Sequence, residues 1–154
     1  MTITQTPGVM SKFRRTSWRF QQTFDSPGGE LRGEFVGAII SALGESPKAT
    51  VTIVEVGTGT RFLSELVGLD GSSVTLERGT SIVAESREEI APLLSAAISD
   101  GNDFLFVPTP KPFVMFDDDG YSTFFANTKS NLNLIAEKLV AVGIHEVRNW
   151  HCRF

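Results

Sequence analysis

Hydrophobic and polar residues along this chain follow two spacings, one typical of strands and the other typical of helices. The clearest strand covers residues 50–56, where β-branched residues dominate and the apolar positions do not strictly alternate. Such a run is typical of a central strand that is partly covered on both faces. Alternating aromatic residues at Trp18, Phe20 and Phe24 predict a first strand that begins at Phe13. Further strands are expected over residues 74–76, 103–107 and 144–154.

Four helices are expected, with apolar stripes over residues 31–42, 62–67, 90–98 and 132–139. Ser26 and Pro27 open the first helix, because serine caps an exposed backbone N–H group and proline has no N–H to satisfy. Ser86 and Glu89 form a capping-box pattern before the third helix. Pro92 falls in the second turn from that start, so this helix is expected to begin later or to be kinked.

The elements therefore follow the order β-α-β-α-β-α-β-β-β-α-β. This order predicts a single α/β or α+β domain over residues 12–154, with about four helices packed on a mixed sheet. Residues 1–11 contain Thr, Gln, Pro and Gly without periodicity, which predicts a flexible N-terminal leader. No internal repeat or low-complexity tract interrupts residues 13–154.

Residues 113–126 contain the strongest hairpin signal in the chain, an Asp-Gly pair between two apolar, aromatic runs. The predicted hairpin buries its aromatic flanks and presents Asp117, Asp118 and Asp119 at its tip, beside Tyr121. Three uses of this tip are open: a cation site, a contact with a basic protein, or an ordinary solvated turn. The calcium-loop pattern of EF-hands fails, because this segment lacks the glycine and the glutamate that the motif requires at fixed positions.

A second candidate site follows the central strand, at the VEVGTGT segment of residues 54–60. A strand that ends in an acid and a glycine-rich turn can place backbone N–H groups near a nucleotide-like ligand. This segment resembles the first motif of class I S-adenosylmethionine-dependent methyltransferases. The resemblance implies a cofactor site at the turn. In that site Glu55, Gly57 and Gly59 would line S-adenosylmethionine, and Glu77 would hold its ribose.

Composition and charge exclude several classes of function. The chain has 154 residues and a net charge of −4, which argues against binding to a nucleic-acid backbone. The one basic cluster comprises Lys12, Arg14, Arg15 and Arg19, and it is interpreted as a solvated strand face. No apolar run reaches the roughly 20 residues that span a bilayer, and the N-terminal residues lack the pattern of a secretory signal.

The residues His145, His151 and Cys152 are the remaining candidates for chemistry, as a Cys–His pair or as part of a metal site. Because His151 and Cys152 are adjacent, a strand would point them to opposite faces. Cys152 is therefore interpreted as a small buried hydrophobic residue. It is the single cysteine and cannot form an internal disulfide, which fits a reducing cytoplasm.

These observations favour a non-catalytic, soluble, cytoplasmic protein-binding module of the kind represented by bacterial immunity proteins and antitoxins. Its expected partner is a basic protein. It is expected to bind no nucleic acid, membrane, metal ion or cofactor. The expected contact residues are Asp117, Asp118, Asp119, Tyr121 and Trp150. The alternative is a methyltransferase-like domain that binds S-adenosylmethionine at the glycine turn. A third interpretation is a homo-oligomer joined through its aromatic end strands.

Overall fold

A computed structural model describes residues 1–45, 48–69 and 75–150 of the chain. A short 3₁₀ turn, Gly29–Leu31, precedes the second helix. The helices and strands follow in this order: β1 (Thr2–Gln5), α1 (Val9–Arg15), β2 (Phe20–Asp25), α2 (Arg32–Ala42), β3 (Lys48–Glu55), α3 (Arg61–Leu66), β4 (Thr80–Ala84), α4 (Arg87–Asp100), β5 (Asp103–Thr109), β6 (Val114–Asp118), β7 (Tyr121–Ala126) and α5 (Lys129–Ala141).

The strands form one seven-stranded sheet in the order β1-β4-β3-β5-β6-β7-β2. The prediction of a single α/β domain with helices on one sheet is confirmed. Every pairing between neighbouring strands is antiparallel. The helical connection α4 does not create a parallel pair, because β4 and β5 lie on either side of β3 and never pair with each other. β1 and β2 form the two edges of the sheet.

The larger core lies between the sheet and the helices α2, α4 and α5. Phe124 of β7 is at its aromatic centre, with its ring centroid 5.5 Å from that of Phe113 and 6.0 Å from that of Phe24. Phe35 of α2 packs against the same ring at 6.5 Å. All four side chains are fully buried, so the hairpin and the helical layer share one core.

A smaller core lies on the opposite face of the sheet, beneath α1. Phe13 of α1 meets Phe125 of β7 edge to face, with the ring centroids 5.2 Å apart. Phe116 and Trp18 complete the aromatic cluster at 6.2 Å and 6.0 Å from Phe13. The cluster covers β5, β6 and β7, while the same face of β1, β4 and β3 remains only partly covered.

The N-terminal residues differ most from the sequence prediction. Residues 1–11, expected as a flexible leader, form β1 and enter α1, because Thr2–Gln5 completes the backbone hydrogen bonds of β4. The strand expected from Phe13 begins only at Phe20. Val9, Met10 and Phe13 have helical spacing and all pack on the smaller core, so α1 forms where the aromatic alternation indicated a strand.

Other boundaries also moved. β4 was not predicted at its observed position. A strand was expected over residues 74–76, but residues 75 and 76 lie outside any strand, and residue 74 lies outside the described residues. The last expected strand is reduced to one bridge between Phe24 and Glu146, and residues 151–154 lie outside the described residues. The first predicted helix begins at Arg32 rather than near Pro27. Five helices therefore replace the expected four.

The third predicted helix, α4, begins where the capping-box pattern indicated. The Glu89 carboxylate accepts hydrogen bonds from the backbone N–H of Glu85 at 3.2 Å and from the Ser86 hydroxyl at 3.5 Å. Pro92 stays inside the helix on its exposed side. The expectation of a later start is therefore wrong, because the acidic side chain organises the first turn despite the proline.

Replacing Phe13 by alanine tests whether α1 holds the smaller core. Because Phe13 is 5% exposed, we expect the free energy of unfolding to fall by about 3 kcal/mol. The matched control is Phe62→Ala in α3, where the ring is 43% exposed and the expected change is below about 0.5 kcal/mol. Urea denaturation measures both variants, and equal losses would contradict the assigned role of α1.

Candidate functional site

The hairpin tip comprises residues 117–121. Within it, a rigid two-residue turn, Asp119 and Gly120, joins β6 to β7. Asp119 and Gly120 both have positive φ, at 51° and 84°, which defines a type I′ turn. The backbone N–H of Ser26 donates to the carbonyl of Gly120 at 2.9 Å. On the other side, the backbone N–H of Asp119 donates to a carboxylate oxygen of Asp103 at 3.4 Å. The tip is therefore held by the end of β2 and the start of β5.

Asp117 points away from the exposed tip and into the structure. One of its carboxylate oxygens accepts hydrogen bonds from the hydroxyls of Ser122 at 2.7 Å and Ser26 at 3.0 Å. Burial raises the pKa of Asp117 to about 6, although the two hydroxyl bonds oppose that rise. The nearby carboxylates of Asp103 and Asp118 raise it further. Asp117 is thus an internal group beneath the tip.

Asp103, Asp118 and Asp119 form the acidic part of the tip. Burial is the main cause that raises the pKa of Asp103, and the neighbouring charges of Asp118 and Asp119 add to it. Among the described residues, no ion pair joins a basic side chain to any of these three carboxylates. Sequence reasoning missed Asp103, because it lies far from the hairpin along the chain and only the β5–β6 register brings it there.

An aromatic pair lies beside these carboxylates. The rings of Tyr121 and Trp150 stack with their centroids 4.6 Å apart and their planes at 21°. Tyr121 pairs across the sheet with Asp118 on one side and Asp25 on the other. Trp150 is 37% exposed, so the stack has an accessible side. The structure therefore brings together Asp118, Asp119, Tyr121 and Trp150, four of the five residues that the sequence selected, while the fifth, Asp117, faces inward.

The segment after α5 carries Trp150 to this position. The backbone N–H of Asp25 donates to the carbonyl of His145 at 2.9 Å. The backbone N–H of Val147 donates to the carbonyl of Thr23 at the same distance of 2.9 Å. These bonds attach the segment to the edge strand β2, so the position of the tryptophan depends on backbone pairing.

The glycine turn after β3 uses its polar groups internally. The side-chain amide of Asn102 accepts from the backbone N–H of Gly57 at 2.8 Å and donates to the carbonyl of Gly59 at 2.7 Å. The buried carboxylate of Asp100 accepts from the backbone N–H groups of Phe62 at 2.8 Å and Leu63 at 3.0 Å. Asp100 thus occupies the position at the start of α3 where an anionic ligand would receive these donors.

The turn does not fit the cofactor that the methyltransferase resemblance implies. That fold requires a parallel sheet and free N–H groups at the glycine turn and at the start of the following helix. This sheet is antiparallel, the N–H of Gly57 is taken by Asn102, and the first N–H groups of α3 are taken by Asp100. Glu55 ends β3 with an exposed side chain, and Glu77 lies exposed in the loop before β4. We derive no chemistry through S-adenosylmethionine at these residues.

Of the remaining candidates for chemistry, His145 is the one that lies within the described residues. His145 is exposed, and its carbonyl is used to bind the edge strand. His151 and Cys152 lie outside the described residues. Across residues 1–45, 48–69 and 75–150, no group of three or more His, Cys, Asp or Glu side chains is arranged to hold a metal ion.

The pKa of Asp117 predicts a pH dependence of stability. Because folding raises this pKa from 3.8 to about 6, the folded state favours the protonated form. The resulting stabilisation is complete below pH 4 and is lost as the pH rises through 6. Asp117→Asn should therefore gain about 2 kcal/mol over the native protein between pH 4 and pH 8, after a discount for partial exposure.

Urea denaturation across this pH range measures the difference. Glu137→Gln on α5 is the matched control, because its side chain is exposed, lies outside the acidic cluster and undergoes the same change of charge. Its stability should follow that of the native protein at every pH. A constant difference between Asp117→Asn and the native protein would contradict the inward position of this carboxylate.

The occupied glycine turn predicts that S-adenosylmethionine does not stabilise the protein. A ligand that binds only the folded state raises the midpoint of thermal unfolding as its concentration rises. We expect no such rise in a thermal-shift titration with S-adenosylmethionine. A saturable rise that Glu77→Ala removes would re-establish the cofactor site.

Comparisons of the chain with protein-family models, with curated proteins and with solved structures gave no significant match. Among the helices of the described residues, none is long and apolar enough to cross a membrane. Function is therefore inferred from the surfaces of this chain, and among the described residues the hairpin tip with its aromatic stack combines carboxylates outside any ion pair with exposed aromatic area.

Proposed function

We propose that this protein is a non-catalytic module that binds a basic protein partner through Asp118, Asp119 and the Tyr121–Trp150 stack. The observation that carries the proposal is the stack itself, at 4.6 Å, directly beside carboxylates that have no cationic partner among the described residues. Aromatic side chains are enriched at protein interfaces, and charge around them sets the partner's sign and orientation.

The charge distribution at the tip favours a basic partner. Burial is the main cause of the raised pKa of Asp103, and repulsion from the charges of Asp118 and Asp119 adds to it. A lysine or arginine of a partner would relieve this repulsion at the moment of contact, so the interaction is stronger than one between isolated surface charges. The same negative potential opposes contact with the phosphates of nucleic acids.

The rigidity of the tip supports binding without rearrangement. The type I′ turn is fixed by backbone bonds from Ser26 and to Asp103, and the stacked rings restrict each other's rotation. Groups that are already ordered lose little conformational entropy when a partner docks. Tyrosine and tryptophan provide much contact area per rotatable bond, which suits the centre of an interface.

Within this proposal, the protein acts as an inhibitor that covers its partner, in the manner of bacterial immunity proteins and antitoxins, and it works in the cytoplasm. Small size and a net charge of −4 suit a stoichiometric inhibitor of a basic protein. A single cysteine fits a reducing compartment.

A capture experiment tests the proposal. Immobilised native protein is incubated with native extract, and retained proteins are eluted with a salt gradient. We expect basic proteins to be retained by the native chain. The triple variant Asp25→Asn, Asp118→Asn, Asp119→Asn should bind at least tenfold more weakly, because it removes the exposed charges around Tyr121 while leaving Asp117 in place.

The matched control is Glu34→Gln, Glu88→Gln, Glu137→Gln, which removes three exposed carboxylates from α2, α4 and α5. It changes the net charge equally, and we expect it to retain the same proteins as the native chain. If both triple variants lose binding equally, binding is due to the net charge of the protein and not to a site at the tip. If the tip variant retains every partner of the native chain, the tip is an ordinary solvated turn.

A further inference from the structure

The face of the sheet beneath α1 contains a cavity of about 330 Å³ that the tip does not line. Its floor is built from neighbouring strands in strict register: Ser81 of β4 pairs with Thr52 of β3, and Val83 pairs with Thr50. The next strand continues the two rows with Leu105 and Val107. One row of the floor therefore runs from Ser81 and Thr52 to Leu105, and the other contains Thr50 between Val83 and Val107, so β5 contributes only branched apolar side chains.

The hydroxyl groups of this floor form a connected network. The hydroxyls of Thr52 and Ser81 lie 2.6 Å apart, and Thr6 bonds to Ser81 from the end of β1. Thr52 and Ser81 are almost completely buried. Because these hydroxyl groups hydrogen-bond to one another, the floor does not need a bound water molecule at each position.

One wall of the cavity is aromatic. Phe13 and Trp18 form this wall together with the apolar side of α1. The indole Nε1 of Trp18 has almost no accessible surface and donates no hydrogen bond within the described part of the chain. The ring of Trp18, rather than its N–H group, is therefore the part that a ligand in the cavity would contact.

The rim of the cavity is positively charged, although the protein as a whole is acidic. Lys12 from α1 and Lys111 from the β5–β6 connection both line it, and no Asp or Glu does. Neither lysine takes part in an ion pair with another described residue. Lys12 was assigned from the sequence to a solvated strand face, whereas α1 carries it to this rim.

We propose that this cavity binds an aliphatic carboxylate of short to medium length. Valine and leucine side chains and the Trp18 ring would contact its chain, while Lys12 and Lys111 would receive its carboxylate. The volume lies at the small end of the range for ligand pockets, and the mixture of apolar walls with a few convergent polar groups is the usual composition of such pockets. The inference is independent of the role proposed for the hairpin tip.

Tryptophan fluorescence provides the test, since the chain has two tryptophans and Trp150 is at the tip. In Trp150→Phe, the emission of Trp18 alone is followed during titration with octanoate. We expect a saturable change. The same titration with 1-octanol, which has the same chain without the charge, should give a dissociation constant at least tenfold higher, and octylamine should not saturate.

Two double variants locate the charge that octanoate recognises. Lys12→Gln with Lys111→Gln should weaken octanoate binding at least tenfold and leave octanol binding within twofold. Lys129→Gln with Lys138→Gln, on α5 beyond the other face of the sheet, changes net charge equally and should leave octanoate binding within twofold. Both changes are on the protein surface, so the variants are expected to fold.

Methyl NMR of the native protein fixes the position. Octanoate should shift the methyl signals of Val83, Val107 and Val114, which line the cavity, and leave those of Val36 in the larger core unchanged. The proposal is overturned by the absence of saturable binding, by octanol binding as tightly as octanoate, by equal effects of the two lysine pairs, or by shifts confined to other methyl groups.

Discussion

The structure depends on one constraint: the strand β7 carries adjacent phenylalanines that must be buried on opposite faces of the sheet. Phe124 points to the helical layer and Phe125 points to α1. An antiparallel sheet commonly leaves one face in water, but here the burial of two neighbouring aromatic rings requires cover on both. Each ring finds an edge-to-face partner, Phe113 for the first and Phe13 for the second. The hairpin is therefore fixed between two layers, and this packing also holds its tip rigid.

Buried carboxylates complete this arrangement at the end of the sheet where the tip lies. Asp117 and Asp100 are both placed among donors, hydroxyls in the first case and backbone N–H groups in the second. At Asp117, burial favours the neutral acid more strongly than the two hydroxyl donors favour the carboxylate, so its pKa is raised. The acidic residues of the sequence are therefore of two kinds: some carboxylates hold loops in place, and others face outward. Only the second kind is available to a partner.

Local signals in the sequence were enough to predict the hairpin, the central strand and the starts of α4 and α5, because each depends on spacing or on turn and capping residues nearby. Thr128 illustrates this, since its hydroxyl accepts from the backbone N–H of Asn131 within the same turn. The edge strand β1 has no such signal. It is a strand because β4 offers unpaired backbone groups, and its own side chains are all exposed.

The candidate site divides in the same way. Asp118, Asp119 and Tyr121 belong to the hairpin and could be selected from it. Asp103 and Asn102 acquire their roles only through strand order, since each contacts residues that are distant in the chain. At the glycine turn, sequence reasoning failed in the opposite way, because it predicted a site from local residues alone. A motif of suitable residues was present, but the side chains that consume its donors come from the end of α4 and the loop after it, which no local pattern indicates.

The open cavity beneath α1 follows from the dimensions of the fold. A helix of seven residues is about 10 Å long and about 10 Å wide, whereas seven strands at about 4.8 Å spacing extend across roughly 29 Å. Such a helix covers about three strands, and the aromatic rings on β6 and β7 determine which three. Hydroxyl side chains occupy the positions on the remaining strands that a longer helix would have required to be apolar, and those of Thr52 and Ser81 are buried against each other. Where the hydroxyl and apolar parts of the floor meet, beside the Trp18 ring and two lysines, the sheet presents a surface that is polar at one side and apolar at the other. A protein with a net charge of −4 thereby carries two surfaces of opposite charge, the acidic tip and the lysine-lined rim of this cavity.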